Sequence, residues 1–399
     1  MGDFYKILPL VLLFLCNPAF AILKATPTEV LLLSEERMGL QALESTSGIW
    51  LLGGFSYTAK ACSRTVSLIS TQETKASEVT TSIQMAVDRN HFRAVSLSLD
   101  KALVMGGYSE SYGSLANIEL LNLKNGAVDV WPGLKIPVEL FSVYQMPDRV
   151  AVIGGLTAQG LKTRDTIQLI DLKTKEVSVN SQKLGVSRFG HESIWLPKIQ
   201  KLLIVGGKNV TRGAAGPDGK RPAVYRSVKE LELWDPQTGK VEGAGSLTIG
   251  RDRPALSILP DGKVLVVGGA SETAAPQVLG SIELYDPVTS TSKIVGQMTV
   301  GRMASKILSY LDRGVIIAGG WVENSEAGKA IEYFDFASQS VRTIGQLASS
   351  RAEHQMLWVS PDRFILIGGK NVFGTSDPAK SEFRLAEIFK LTEREDTRP

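Results

Sequence analysis

The chain has 399 residues, with 44 Lys+Arg against 41 Asp+Glu and a formal net charge of +3. That balance argues against a polyanion-binding surface of the nucleic-acid kind and against an acidic tail. Its 38 glycines and modest aromatic content suit many short strands joined by tight turns.

Residues 1–21 read as a targeting segment. Lys6 precedes the apolar run ILPLVLLFLC, and Ala19-Phe20-Ala21 supplies a cleavage site. The run is too short to span a bilayer. Leu15 is bulky where a lipid-attachment signal at Cys16 would carry a small residue, so a lipoprotein is not expected. The pattern predicts cleavage after Ala21 and an exported product, periplasmic or extracellular and not integral to the membrane. Cys62 is then the one cysteine of the mature chain. No internal disulfide is expected, and the core must carry the stability.

Seven apolar runs ending in Gly-Gly follow, with second glycines at 54, 107, 155, 207, 269, 320 and 369, spaced by 53, 48, 52, 62, 51 and 49 residues. A period near fifty marks an array of supersecondary units. In the best-preserved unit ALSILP, KVLVVGG, SIELYDP and KIVGQM read as four strands, with turns at Asp261-Gly262 and TSTS. Each unit is therefore a four-stranded antiparallel meander whose two apolar faces demand packing against neighbours in a closed ring. The last unit lacks a fourth strand, and the opening TEVLLLSEERMGLQAL matches a fourth-to-first-strand passage, so residues 28–33 are expected to complete it. The predicted fold is all-β: one seven-bladed propeller over residues 22–392, with a polar tail at 393–399.

The apolar-Gly-Gly run, a Tyr-Asp or Trp-Asp dipeptide such as Tyr285-Asp286, and an arginine before the next unit together resemble the kelch repeat, and GQMTVGR resembles exported bacterial members. The resemblance covers about 28–392. It implies a propeller, but not one activity, because kelch propellers include peptide-binding scaffolds, sugar oxidases and sugar isomerases.

Counting back 17 residues from each first glycine finds Arg89, Pro137, Arg251, Arg302 and Arg351, with Arg188 at 18 and Glu36 beside Arg37 in the first unit. The third strands carry Glu119, Gln168, Glu232, Glu283, Glu332 and Glu387, with Ser67 first. Arginine and glutamate are kept or lost together. A glutamate within an apolar strand is costly unless paired. The expected pairs are Arg89 with Glu119, Arg188 with Glu232, Arg251 with Glu283, Arg302 with Glu332 and Arg351 with Glu387. His91, His191 and His354 sit two or three residues after the repeat arginine. They are read as ordinary repeat residues, so no metal is expected. The copper-radical oxidases of this fold need a cysteine cross-linked to tyrosine and a histidine cluster, which the sequence does not show.

The longest spacing contains residues 208–226, with Lys208, Arg212, Lys220, Arg221 and Arg226 against only Asp218. Loops of this kind carry function disproportionately. Tyr108, Tyr112, Trp321 and Phe373 follow other glycine pairs and suit a sugar or a peptide. The binding candidates are thus Arg212, Lys220, Arg221, Arg226, Tyr108, Tyr112, Trp321 and Phe373, with no catalytic residues and no cofactor. The expected function is binding of a protein or glycan partner, acidic in character, across one face of a monomer. The alternative is a periplasmic sugar isomerase or mutarotase of the sialic-acid kelch type.

Overall fold

The computed structural model describes residues 22–71, 76–214, 221–272, 277–323, 327–370 and 385–394. Seven four-stranded antiparallel sheets form the blades of a β-propeller, and among the described residues the sole helical element is a 3₁₀ turn at Ala327–Lys329. The template blade runs Ala255–Ile258, Val264–Val267, Ser281–Asp286 and Thr291–Gln297. Its fourth strand opens inside the expected turn. Asp286 Oδ1 accepts the Val288 N–H at 2.9 Å and Ser290 takes a φ of 54°, which closes the reversal early.

The last sheet is ordered Ile22–Leu32, Leu385–Arg394, Arg363–Ile367, Gln355–Ser360, so the first described strand completes the final blade. Pairing runs from Ile22 opposite Arg394 to Leu32 opposite Leu385. The closing strand is longer than residues 28–33, and its partner takes in Glu393 and Arg394, which the sequence pattern left to the tail. Burial explains the extension: Leu23 and Ala25 pack in the cluster that holds Tyr333 and Ile344 of the sixth blade. Seven such apolar clusters fill the gaps between blades, the gap from last to first included.

Every glycine of the seven pairs has a positive φ, between 53° and 103°. A side chain on Gly53 would lie 2.8 Å from the Arg89 carbonyl, and one on Gly154 2.7 Å from that of Arg188. The second glycine donates its N–H to the same carbonyl: Gly54 to Arg89 at 2.9 Å, Gly155 to Arg188 at 2.8 Å, and so round the ring to Gly369 and Arg37 at 3.0 Å. This inter-blade bond defines the register of the connections. The acceptors are Arg37, Arg89, Val138, Arg188, Arg251, Arg302 and Arg351. A fixed count of 17 therefore misplaces three blades, because the true positions there are Arg37, not Glu36, Val138, not Pro137, and Arg188, not Phe189.

The six arginines are buried. Arg251 Nη2 lies 2.9 Å from Glu283 and Arg302 Nη2 3.0 Å from Glu332, and Arg89–Glu119, Arg188–Glu232 and Arg351–Glu387 are also in contact. Burial pulls the guanidinium of Arg251 below its ordinary value, and Glu283 opposes the shift. Each glutamate also holds the incoming connection. Glu283 accepts the Thr248 N–H at 2.5 Å, Glu332 that of Thr299 at 2.7 Å, and Glu387 that of Ala348 at 2.8 Å. Where the arginine is missing, Gln168 does this neutrally, exchanging bonds of 2.9 and 3.0 Å with the Ile136 backbone. In the first blade Arg37 donates to Ser67 Oγ at 2.7 Å. Two carboxylates face Arg37, Glu35 at 3.8 Å and, from the neighbouring strand, Glu78 at 3.9 Å, which also accepts the Ser34 N–H at 2.5 Å.

Replacing Glu283 with Gln leaves Arg251 buried with its charge uncompensated, which costs about 3 kcal/mol. Urea or thermal unfolding is expected to show this loss, and an unchanged midpoint would mean that the pair is not structural.

Candidate functional site: the axial mouth

The residue after each arginine position forms a β-bridge with the residue after its own blade's glycine pair, as in Asn90 with Tyr108, Asp252 with Ala270 and Ala352 with Lys370. Connections and glycine loops therefore share one face. The next residue in every blade enters the left-handed region: Gly39, His91, Leu140, Gly190, Arg253, Ala304 and Glu353, with φ from 49° to 65°. Gly190 donates to the Leu140 carbonyl at 2.8 Å, Arg253 to Gly190 at 2.8 Å and Gly39 to Glu353 at 3.0 Å, which links successive members in a backbone collar. Non-glycine residues pay about 1 kcal/mol each for this conformation.

Sevenfold repetition stops at the side chains. His91 Nδ1 is 3.4 Å from Glu139, its Nε2 is 3.3 Å from Glu353, and Arg253 Nη1 is 2.9 Å from the other Glu353 oxygen. Burial alone would lower the His91 pKa, but its hydrogen bonds to Glu139 and Glu353 raise it to about 9. Burial would raise Glu353, but His91 and Arg253 hold it down to about 2. His91 is thus an imidazolium bridging two carboxylates.

An axial cavity of about 100 Å³ lies against this cluster, lined also by Gln41, Arg93, Glu192, Lys306 and Gln355 of the innermost strands. Each of those five sits two residues past its blade's collar residue, one pleat repeat along the strand. Arg93 is 3.0 Å from Glu192 and donates through Nε to the Phe141 carbonyl at 3.1 Å. Burial lowers the Lys306 pKa below the usual value, with Glu192 opposing and Arg93 reinforcing the shift.

All three histidines border the axial cavity, but only His91 belongs to the collar. His191 and His354 are one residue beyond the collar, which turns them between blades beside the glycine pairs, and both are fully buried. His191 Nε2 is 3.0 Å from Ser142 Oγ, and burial lowers the pKa of both rings. Cys62 is a buried free thiol whose pKa is raised by burial and by Glu110. Its sulfur and carboxylate oxygens of Asp88 and Glu110 lie within 4.8 Å of one another, although Asp88 already accepts from Ser109 at 2.8 Å.

The described part of the long insertion is a β-ribbon, Lys208–Arg212 paired with Ala223–Ser227, a two-stranded sheet separate from the blade. Two of its cations are neutralised from outside: Lys208 lies 2.6 Å from Glu272 and 3.3 Å from Asp252, and Arg226 2.9 Å from Glu230. Arg212 and Arg221 are exposed. Tyr108 opens a small ribbon, and Tyr112 is exposed beside Gln159, whose Nε2 donates to the Tyr112 carbonyl at 2.9 Å. Trp321 belongs to a stack that sequence reasoning missed, with Lys370 Nζ 5.2 Å from its ring and 4.5 Å from that of Tyr57. None of Tyr108, Tyr112 and Trp321 lines the axial cavity. Residues 1–21, Lys220 and Phe373 lie outside the described residues.

No family model matches the chain. It is 24% identical over 220 residues to the tRNA wybutosine-synthesizing protein 4 of Saccharomyces cerevisiae, a match that spans 53% of this chain and 29% of that relative's length. The solved structure of YjhT superposes over 79% of this chain and all of its own with a TM-score of 0.56 at 13% identity, a likeness of fold.

The axial cluster predicts a pH profile. His91 is raised above its unfolded value near 6.5, so its contribution is complete below about pH 6.5 and lost towards pH 9. Glu353 is depressed, so its contribution is complete above about pH 4.5 and lost towards pH 2. Thermal unfolding of the His91→Gln variant is expected to lose the decline between pH 6.5 and 9; an identical decline would place its origin elsewhere.

Proposed function

We propose that the protein is an exported kelch-type propeller that binds an acidic protein or glycan partner at the axial mouth on the loop face. The observation that carries this reading is the axial opening itself, walled by imidazolium, guanidinium, ammonium and carboxylate groups where sevenfold repetition would give equivalent residues. Long side chains project from a rigid strained collar, so little conformational entropy is lost when a ligand docks. Arg212 and Arg221 of the ribbon, and Tyr108, Tyr112 and Trp321 on neighbouring loops, supply secondary contacts on the same face.

The catalytic alternative, a sugar isomerase or mutarotase, would use an acid and a base at the axis. His91 near 9 and Glu353 near 2 are matched to each other and stand far from the neutral range in which general acid–base catalysis is efficient. That mismatch favours binding.

An array of acidic oligosaccharides and acidic peptides, probed with the labelled protein, tests the reading. Capture is expected to fall at least tenfold for Arg253→Ala, and less for Arg212→Ala with Arg221→Ala. Capture undiminished by Arg253→Ala would move the site away from the axis. Cell fractionation tests export, with a cytoplasmic, uncleaved chain as the contrary result.

A further inference from the structure

The charge inventory of the axial cavity does not close. Arg93 is matched with Glu192, Arg253 with Glu353, and His91 with Glu139 and Glu353. Among the described residues one cation is left over. Lys306 lines the cavity and makes no hydrogen bond or ion pair among the described residues, and its electrostatic neighbours are Glu192, Arg93 and Glu353, all already engaged. Among the described residues, the buried Ser305 Oγ and Arg253 Nε beside the cavity also find no hydrogen-bond partner. Buried polar groups are ordinarily paired, so this concentration points to an absent acceptor. A cavity of about 100 Å³ has room for a carboxylate group.

We propose that the axial cavity binds one small monoanionic carboxylate, either free or as the end of a longer ligand, with Lys306 as its counter-ion. A dianion would leave an uncompensated negative charge beside Glu192 and Glu353. A neutral amide of the same shape would leave Lys306 unmatched. This assignment deepens the reading of the mouth as a binding site and names the group that would enter it.

The test is thermal unfolding of the full chain with sodium acetate, sodium glucuronate, acetamide or sodium sulfate at matched ionic strength. Acetate at saturating concentration is expected to raise the midpoint by about 2 °C. Acetamide and sulfate are expected to leave it unchanged. Lys306→Met abolishes the response yet folds with an unchanged or higher midpoint, because no partner is orphaned; Lys306→Arg keeps the charge and the response. A rise with glucuronate alone assigns the subsite to the end of a longer ligand. No rise with either carboxylate, or an equal rise in Lys306→Met, overturns the proposal. Array capture that depends on Arg253 without any carboxylate shift removes this subsite and leaves the mouth intact as a docking surface.

Discussion

One backbone carbonyl at the entrance to each blade holds the ring together. It accepts the N–H of the second glycine of the preceding blade, at 2.7 Å for Arg251 and Arg302. The first glycine passes so close to that carbonyl that no Cβ fits there. In six blades the residue owning the carbonyl also sends its guanidinium back to its own blade, as Arg251 Nη1 does to the Gly268 carbonyl at 2.8 Å. Backbone and side chain of one residue thus fasten two neighbouring blades. The collar, the bridges and the axial cavity all follow, because each begins within a few residues of that fixed point.

The charges fall into two layers with different accounts. Between the blades, each guanidinium meets its carboxylate and each carboxylate meets the backbone of the incoming connection. Such pairs give little net stability over apolar packing, but they are costly to break and they fix register. Around the axis the layer is asymmetric, combining Glu139, His91, Glu353, Arg253, Arg93, Glu192 and Lys306 from different blades. Repetition supplies the scaffold, and departures from repetition supply the chemistry.

The glycine pairs, strand alternation and the missing fourth strand made the propeller legible from sequence, since each is a local pattern with one geometric outcome. Registers that differ by one residue were harder to read. His91 and His354 look equivalent in sequence, yet one belongs to the collar and the other fills an inter-blade gap. Glu78 was invisible because it serves Arg37 from an adjacent strand, across a pairing no linear count reveals. Lys306 carried no motif at all: a lysine opening a strand reads as solvated until the ring curls it inward. The basic ribbon misled in the other direction, because Glu272, Asp252 and Glu230, which neutralise Lys208 and Arg226, lie outside the segment.

The closing strand has a consequence for how the chain is made. Thr28 donates to the carbonyl of Ile388, a residue 360 positions later. At 5–20 residues per second, roughly 20–70 s separate the synthesis of the two partners. Throughout that interval Ile22–Leu32 is an open edge beside newly made blades with pairing groups of their own. Its composition suits the wait. Pro27 removes a donor, the register shifts between Pro27 and Glu29, and Lys24 and Glu29 place charges along the edge. The same irregularities fit the last strand and discourage association with other copies, so the segment that closes the ring also keeps growing chains apart.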